Sequence, residues 1–154
     1  MPKQDTSVLK ATNITIGKSF QFGKWVFNNR VVYQKTEAII HTPQLISYQS
    51  LYYETAILKT TLYMQLGIDL RYNSSYYADA YMPAIGQFFL QNTIKTGNYP
   101  AADVFVNLKI KSARIFFKFE NINRSLLAND YYLVPHYPIP GMSFKFGVSW
   151  RFFD

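Results

Sequence analysis

The chain has 154 residues and a formal charge of +7, with 49% apolar, 18% aromatic and only 16% charged residues. That is one domain's worth of chain, apolar enough to bury a large surface and too poor in charge for bulk disorder. It contains no Cys, which excludes a disulfide scaffold, a thiolate metal site and a Cys nucleophile.

The elements read in chain order. Met1–Lys10 has neither an apolar core nor a small-residue cleavage site, so it is no secretory signal; any such signal is expected to be removed or to lie in a longer chain. No run approaches the ~18 apolar residues of a transmembrane helix. What recurs is alternation with period two, the strand signature, and the 13 Tyr and 13 Phe suit a pleated surface. A first strand covers 8–22, with Ile14, Ile16, Phe20 and Phe22 on one face and Lys18 as the exception. Strands 25–35 and 47–57 have mixed faces. In 62–73, Leu62, Met64, Leu66, Ile68, Leu70 and Tyr72 alternate with Tyr63, Gln65, Gly67, Asp69, Arg71 and Asn73. In 103–111, Val104, Val106, Leu108 and Ile110 oppose Asp103, Phe105, Asn107, Lys109 and Lys111. Strand 114–122 sets Ile115, Phe117 and Phe119 against Arg114, Phe116, Lys118 and Glu120. Strand 143–152 sets Phe144, Phe146, Val148, Trp150 and Phe152 against Ser143, Lys145, Gly147, Ser149 and Arg151.

Short and long connections alternate. The tight ones are Phe22-Gly23-Lys24-Trp25, Leu58-Lys59-Thr60-Thr61 and Lys111-Ser112-Ala113. The long ones, 36–46, 74–101 and 123–141, hold every Pro except Pro2, and both His residues. Outer-membrane barrels place short turns on the periplasmic side and long loops outside. Alternation alone also suits a lipocalin-like soluble barrel with its apolar face inside. Length favours the membrane: ten residues span ~33 Å and, tilted by ~40°, rise about 25 Å, the height of an outer-membrane apolar band. The absence of Lys and Arg from the apolar face of the four most regular strands points the same way, since each would cost ~2–4 kcal/mol at the midplane.

The expected fold is therefore all-β, an antiparallel up-and-down transmembrane β-barrel segment without a second domain. Seven strands are an odd number, whereas bacterial single-chain barrels have even numbers. The expectation is thus the C-terminal seven or eight strands of a larger barrel; taking 87–92 as a full strand gives a complete eight-stranded barrel as the alternative.

Several blocks carry a family resemblance: Leu51-Tyr52-Tyr53-Glu54; Arg71-Tyr72-Asn73 through Tyr76-Tyr77-Ala78 to Tyr81-Met82-Pro83; Gln87-Phe88; and Gly97-Asn98-Tyr99-Pro100 with Asp103-Val104-Phe105. The C-terminus adds Pro135-His136-Tyr137-Pro138-Ile139-Pro140-Gly141 and the run from Phe144 to Asp154. Together, from about residue 45 onward, they resemble the closing third of the putative porin family of Bacteroidota outer membranes. The resemblance implies a bacterial outer-membrane location and members longer than this chain. The terminal aromatic strand, with Phe146, Val148, Trp150, Phe152 and Phe153, resembles the signal read by the barrel-assembly machinery; Asp154 departs from the commoner terminal Phe.

Under a membrane assignment the polar faces line the lumen with Asp69, Arg71, Lys109, Lys111, Arg114, Lys118, Glu120, Lys145 and Arg151. This basic excess suits passage of anionic solutes. The alternative is that Lys118, Glu120, Lys145 and Arg151 form cross-strand ion pairs that brace or plug the lumen, as in a structural barrel subunit of a multi-protein complex. Tyr48, Tyr52, Tyr53, Tyr76, Tyr77, Tyr81, Tyr131, Tyr132 and Tyr137 read as interfacial belts, or as a docking surface for other outer-membrane proteins. Basic residues near the outer rim would meet lipopolysaccharide phosphates. His41 and His136 lie on different loops without metal-ligand spacing, no G-x-S-x-G elbow is present, and no cofactor or enzymatic role is expected. Nucleic acid is not an expected partner, because the basic residues alternate with apolar ones along strands.

Overall fold

The computed structural model describes residues 8–37, 40–57, 61–126 and 131–152. Its strands, in chain order, are β1 (Ala11–Phe22), β2 (Trp25–Thr36), β3 (Leu45–Ile57), β4 (Leu62–Asn73), β5 (Ala80–Met82), β6 (Gln87–Phe89), β7 (Ala101–Ile110), β8 (Ala113–Glu120), β9 (Tyr132–Val134), β10 (Tyr137–Pro138) and β11 (Ser143–Trp150). Seven of them form one antiparallel up-and-down sheet in the order β1-β2-β3-β4-β7-β8-β11. These seven coincide with the strands read from alternation. Residues 87–92 do not supply an eighth: only Gln87–Phe89 pairs, with Ala80–Met82, as a hairpin outside the main sheet. A second hairpin, β9-β10, occupies the last long connection.

The sheet is not closed, and β1 and β11 stand at its two edges. Alternation assigns residues to faces but carries no information about which edges meet. The barrel expectation thus holds as far as an up-and-down antiparallel sheet.

Register makes the alternation coherent across strands. Phe20 faces Phe27, which faces Leu51, which faces Ile68, which faces Val104, which faces Phe119, which faces Phe144. One face is therefore apolar along this row in every strand, and across β1, β2 and β3 it is interrupted by the polar row Lys18, Asn29 and Gln49. A slip of one residue in any pairing would turn that strand's apolar set to the other side. Two phenylalanines lie on the polar face, and each is opposite a glycine: Phe105 faces Gly67, and Phe116 faces Gly147. A Cβ on Gly67 would stand 2.6 Å from Phe105 Cζ, so the missing side chain is the space the ring occupies.

Two tight turns are built from a left-handed first residue, Gly23 at φ 60° and Lys111 at φ 51°. The third turn, 58–60, lies outside the described residues.

Burial is inverted relative to a water-soluble domain. Among the described residues few apolar ones are buried, namely Val26, Ala78, Ala80, Tyr99 and Pro135, while Ser50, Asp69, Thr96, Asp103 and Asn121 are buried polar ones. The apolar face is open along its length, with Ile16 69% and Phe146 68% exposed and Leu51, Leu66, Ile68, Phe119 and Trp150 beside them. Soluble monomers rarely leave so large a contiguous apolar surface uncovered.

Candidate lumen-lining site

Strand pairing places Asp69, Arg71, Lys109, Arg114, Lys118, Glu120 and Lys145 on the one polar face; Lys111 lies in the turn after β7 and Arg151 just beyond β11. The nine separate into two zones.

The first zone, toward the long connections, is neutralised. Its centre is Asp103, which is 0% exposed. Arg71 Nη2 donates to Asp103 Oδ2 at 2.6 Å, Lys118 Nζ lies 3.0 Å from the same oxygen, and the backbone N–H of Asn121 donates to Oδ1 at 3.0 Å. Lys118 also reaches Asp69 at 3.5 Å, and Lys145 pairs with Glu120 at 2.7 Å. Directly opposed residues here carry like charges, Asp69 against Asp103 and Lys118 against Lys145. Like charges across a ladder repel, and the diagonal ion pairs remove that conflict. Lys118, Glu120 and Lys145 thus form cross-strand ion pairs, and among the described residues Arg151 forms none.

Asp103 was absent from the candidate residues although its alternation phase puts it on this face. The available signal was its place at the long-loop end of the strand, where Asp69 and Arg71 lie on the neighbouring strand. An adjacent hydrogen-bond set ties the last long connection to the sheet: Ala102 N–H donates to Asn123 Oδ1 at 3.0 Å, and Asn121 Nδ2 donates to the Pro140 carbonyl at 3.0 Å.

The second zone, at the short-turn end, holds Lys109, Lys111, Arg114 and Arg151. None of them takes part in an ion pair among the described residues.

Above the first zone the long connections pack on one another. Tyr99 and Tyr131 approach with ring centroids 4.9 Å apart, and Tyr81 meets Tyr137 at 6.1 Å. His41 Nδ1 lies 3.0 Å from Asp79 Oδ1, joining the first long connection to the second. No sequence spacing announced that pair. Burial pushes the Tyr99 phenol above its ordinary range. The Tyr residues therefore do not form one belt. Tyr53 meets Trp25 edge-on at 5.2 Å on the apolar face, whereas Tyr48 and Tyr52 sit on the polar face opposite Arg71 and Gly67.

The residues of the terminal aromatic row, Phe146, Val148, Trp150 and Phe152, are all exposed on or beyond the edge strand β11. Trp150 and Phe152 stack at 5.5 Å. Phe153 lies outside the described residues.

An exposed apolar face, a polar and partly neutralised opposite face, and packed long connections at one end are features expected of an outer-membrane barrel wall. No curated protein matches this chain, and no solved structure does. The family model described as putative porin matches residues 1–154, the whole length, and the chain belongs to that family.

Proposed function

We propose that this chain forms wall of an outer-membrane β-barrel through which small solutes pass, with the polar face of the seven-stranded sheet turned to water. The observation that supports this most is the inverted burial: the apolar face is uncovered while Asp69 and Asp103 are buried on the other side. In hydrocarbon each unsatisfied backbone group costs several kcal/mol, so the outer edges of β1 and β11 are paired when the sheet is in the membrane. Passage of this kind needs no covalent chemistry. Purified protein inserted into planar bilayers is expected to give discrete ohmic conductance steps. A protein that inserts but never conducts would overturn the reading.

One observation favours a second reading, a barrel subunit that docks other proteins within the membrane. On the otherwise apolar face, Lys18 faces Asn29 and Asn29 faces Gln49, a polar row across three strands. Asn29 Oδ1 is buried without a hydrogen-bond partner. Facing lipid, Lys18 would cost up to about 2–4 kcal/mol; against a partner's acceptors it would be satisfied. Under this reading Lys18→Leu releases a co-purifying protein, whereas under simple passage it leaves the composition unchanged and stabilises the barrel.

A further inference from the structure

The second zone of the polar face combines charge, geometry and open space. Lys109 and Arg114 stand directly opposite each other across β7 and β8, and Ser149 faces Arg114 from β11. The backbone N–H of Arg151 donates to the Ser112 carbonyl at 3.2 Å, which draws the chain beyond β11 back to the turn that holds Lys111. Lys109, Lys111, Ser112, Arg114, Ser149 and Arg151 line one open cavity of about 440 Å³. Glu54 lines the adjoining cavity, where its carboxylate accepts from Gln65 Nε2 at 3.3 Å and forms no ion pair with Lys109 or Arg114.

This grouping works against the stability of the empty sheet. Opposed like charges on a ladder repel, and among the described residues no diagonal carboxylate relieves them here. Lys111 adds strain: it holds φ 51°, a left-handed conformation that Gly adopts freely and a residue with a Cβ adopts only at a cost. Two guanidinium groups, two ammonium groups and two hydroxyls around one cavity match the oxygens of a phosphate group.

We propose that this cavity binds a small multivalent phosphate-bearing anion dissolved in the lumen, one that passes or pauses at the short-turn mouth. The inference rests on the reading that the polar face meets water. A lipid headgroup is not the ligand, because Lys109, Arg114 and Ser149 lie on the face turned away from the apolar surface.

Inorganic pyrophosphate is the probe. It is titrated calorimetrically into the purified protein in non-ionic detergent, with chloride holding the ionic strength constant. Saturable binding is expected, weakened at least about tenfold in the Lys109→Gln/Arg114→Gln variant, the equivalent of one charge-assisted hydrogen bond, and retained in Arg114→Lys. Without ligand, the double variant unfolds at the same or a higher temperature than the parent, since it has lost a repulsive pair. Absent or undiminished binding overturns the proposal. So does a double variant that unfolds at a lower temperature without ligand, which would make the cluster structural, and so does competition by phosphatidylglycerol in nanodiscs, which would place the site against lipid. Bilayer conductance separates the two readings. Binding without conductance keeps the site and refutes passage; conductance without pyrophosphate binding keeps passage and refutes the site.

Discussion

Asp103 is the residue whose replacement discriminates most sharply. Its carboxylate is fully buried and joins β4, β8 and the entrance to the last long connection through Arg71, Lys118 and Asn121. Asp103→Asn keeps an acceptor for the Asn121 N–H but removes the charge. The bond to Arg71, whose side chain is 49% exposed, counts only as a surface pair, about 0.5 kcal/mol. The bond to the more enclosed Lys118 counts as charge-assisted, about 2 kcal/mol. The expected loss is thus roughly 2–3 kcal/mol. Asp103→Ala also strands the buried Asn121 amide, which adds about 1–2 kcal/mol. Urea unfolding of the folded protein in detergent, followed by tryptophan fluorescence, gives these differences by linear extrapolation. A double-mutant cycle with Lys118→Met should return a coupling of about 1.5–2 kcal/mol. An unchanged midpoint for Asp103→Asn, or an equal loss in the Lys118→Met background, would refute the idea that this carboxylate holds the sheet to its loop.

Two further substitutions probe other contacts. Gly67→Ala would put a Cβ 2.5 Å from Tyr52 Cβ and 2.8 Å from the Leu51 carbonyl oxygen, positions that move only with the backbone, so a loss of about 2–3 kcal/mol is expected. Gly147→Ala meets only the Phe116 ring and should cost less, about 1 kcal/mol, by the same unfolding assay. The Tyr99 hydroxyl is buried and lacks a partner, so Tyr99→Phe should be neutral or stabilising by about 1 kcal/mol. The same burial raises the phenol's folded pKa above its unfolded value. Its contribution is therefore complete below pH about 10 and lost as pH rises through the folded value; alkaline loosening of the Tyr99–Tyr131 contact, read by protease cleavage of the loops, should be reduced in Tyr99→Phe.

The sequence made the strands legible because their signal is local. Seven runs of alternation became seven strands, and even the irregular 25–35 and 47–57 joined the same sheet once register fixed which of their residues share a face with Leu66 and Ile68. Gln87–Phe89 kept an eight-stranded alternative open because a short apolar run looks the same in a three-residue hairpin strand as in a spanning strand. The site was half legible. Period two located the charged residues on one face, but not the diagonal pairing that neutralises Lys118 and Lys145 and leaves Lys109 and Arg114 bare. That pairing depends on stagger between strands distant in sequence. His41 with Asp79 and Tyr99 with Tyr131 are likewise tertiary contacts between loops, without any local pattern to betray them.

The orientation of the two faces can be measured residue by residue, because the chain contains no Cys. Single cysteines placed in turn at positions 144 to 149, each carrying an environment-sensitive fluorophore, are read in vesicles containing quencher-labelled lipid and again with a water-soluble quencher. Strict alternation is expected. Positions 144, 146 and 148 are quenched from lipid, and 145, 147 and 149 from water. Uniform quenching along β11, or the opposite phase, would contradict it.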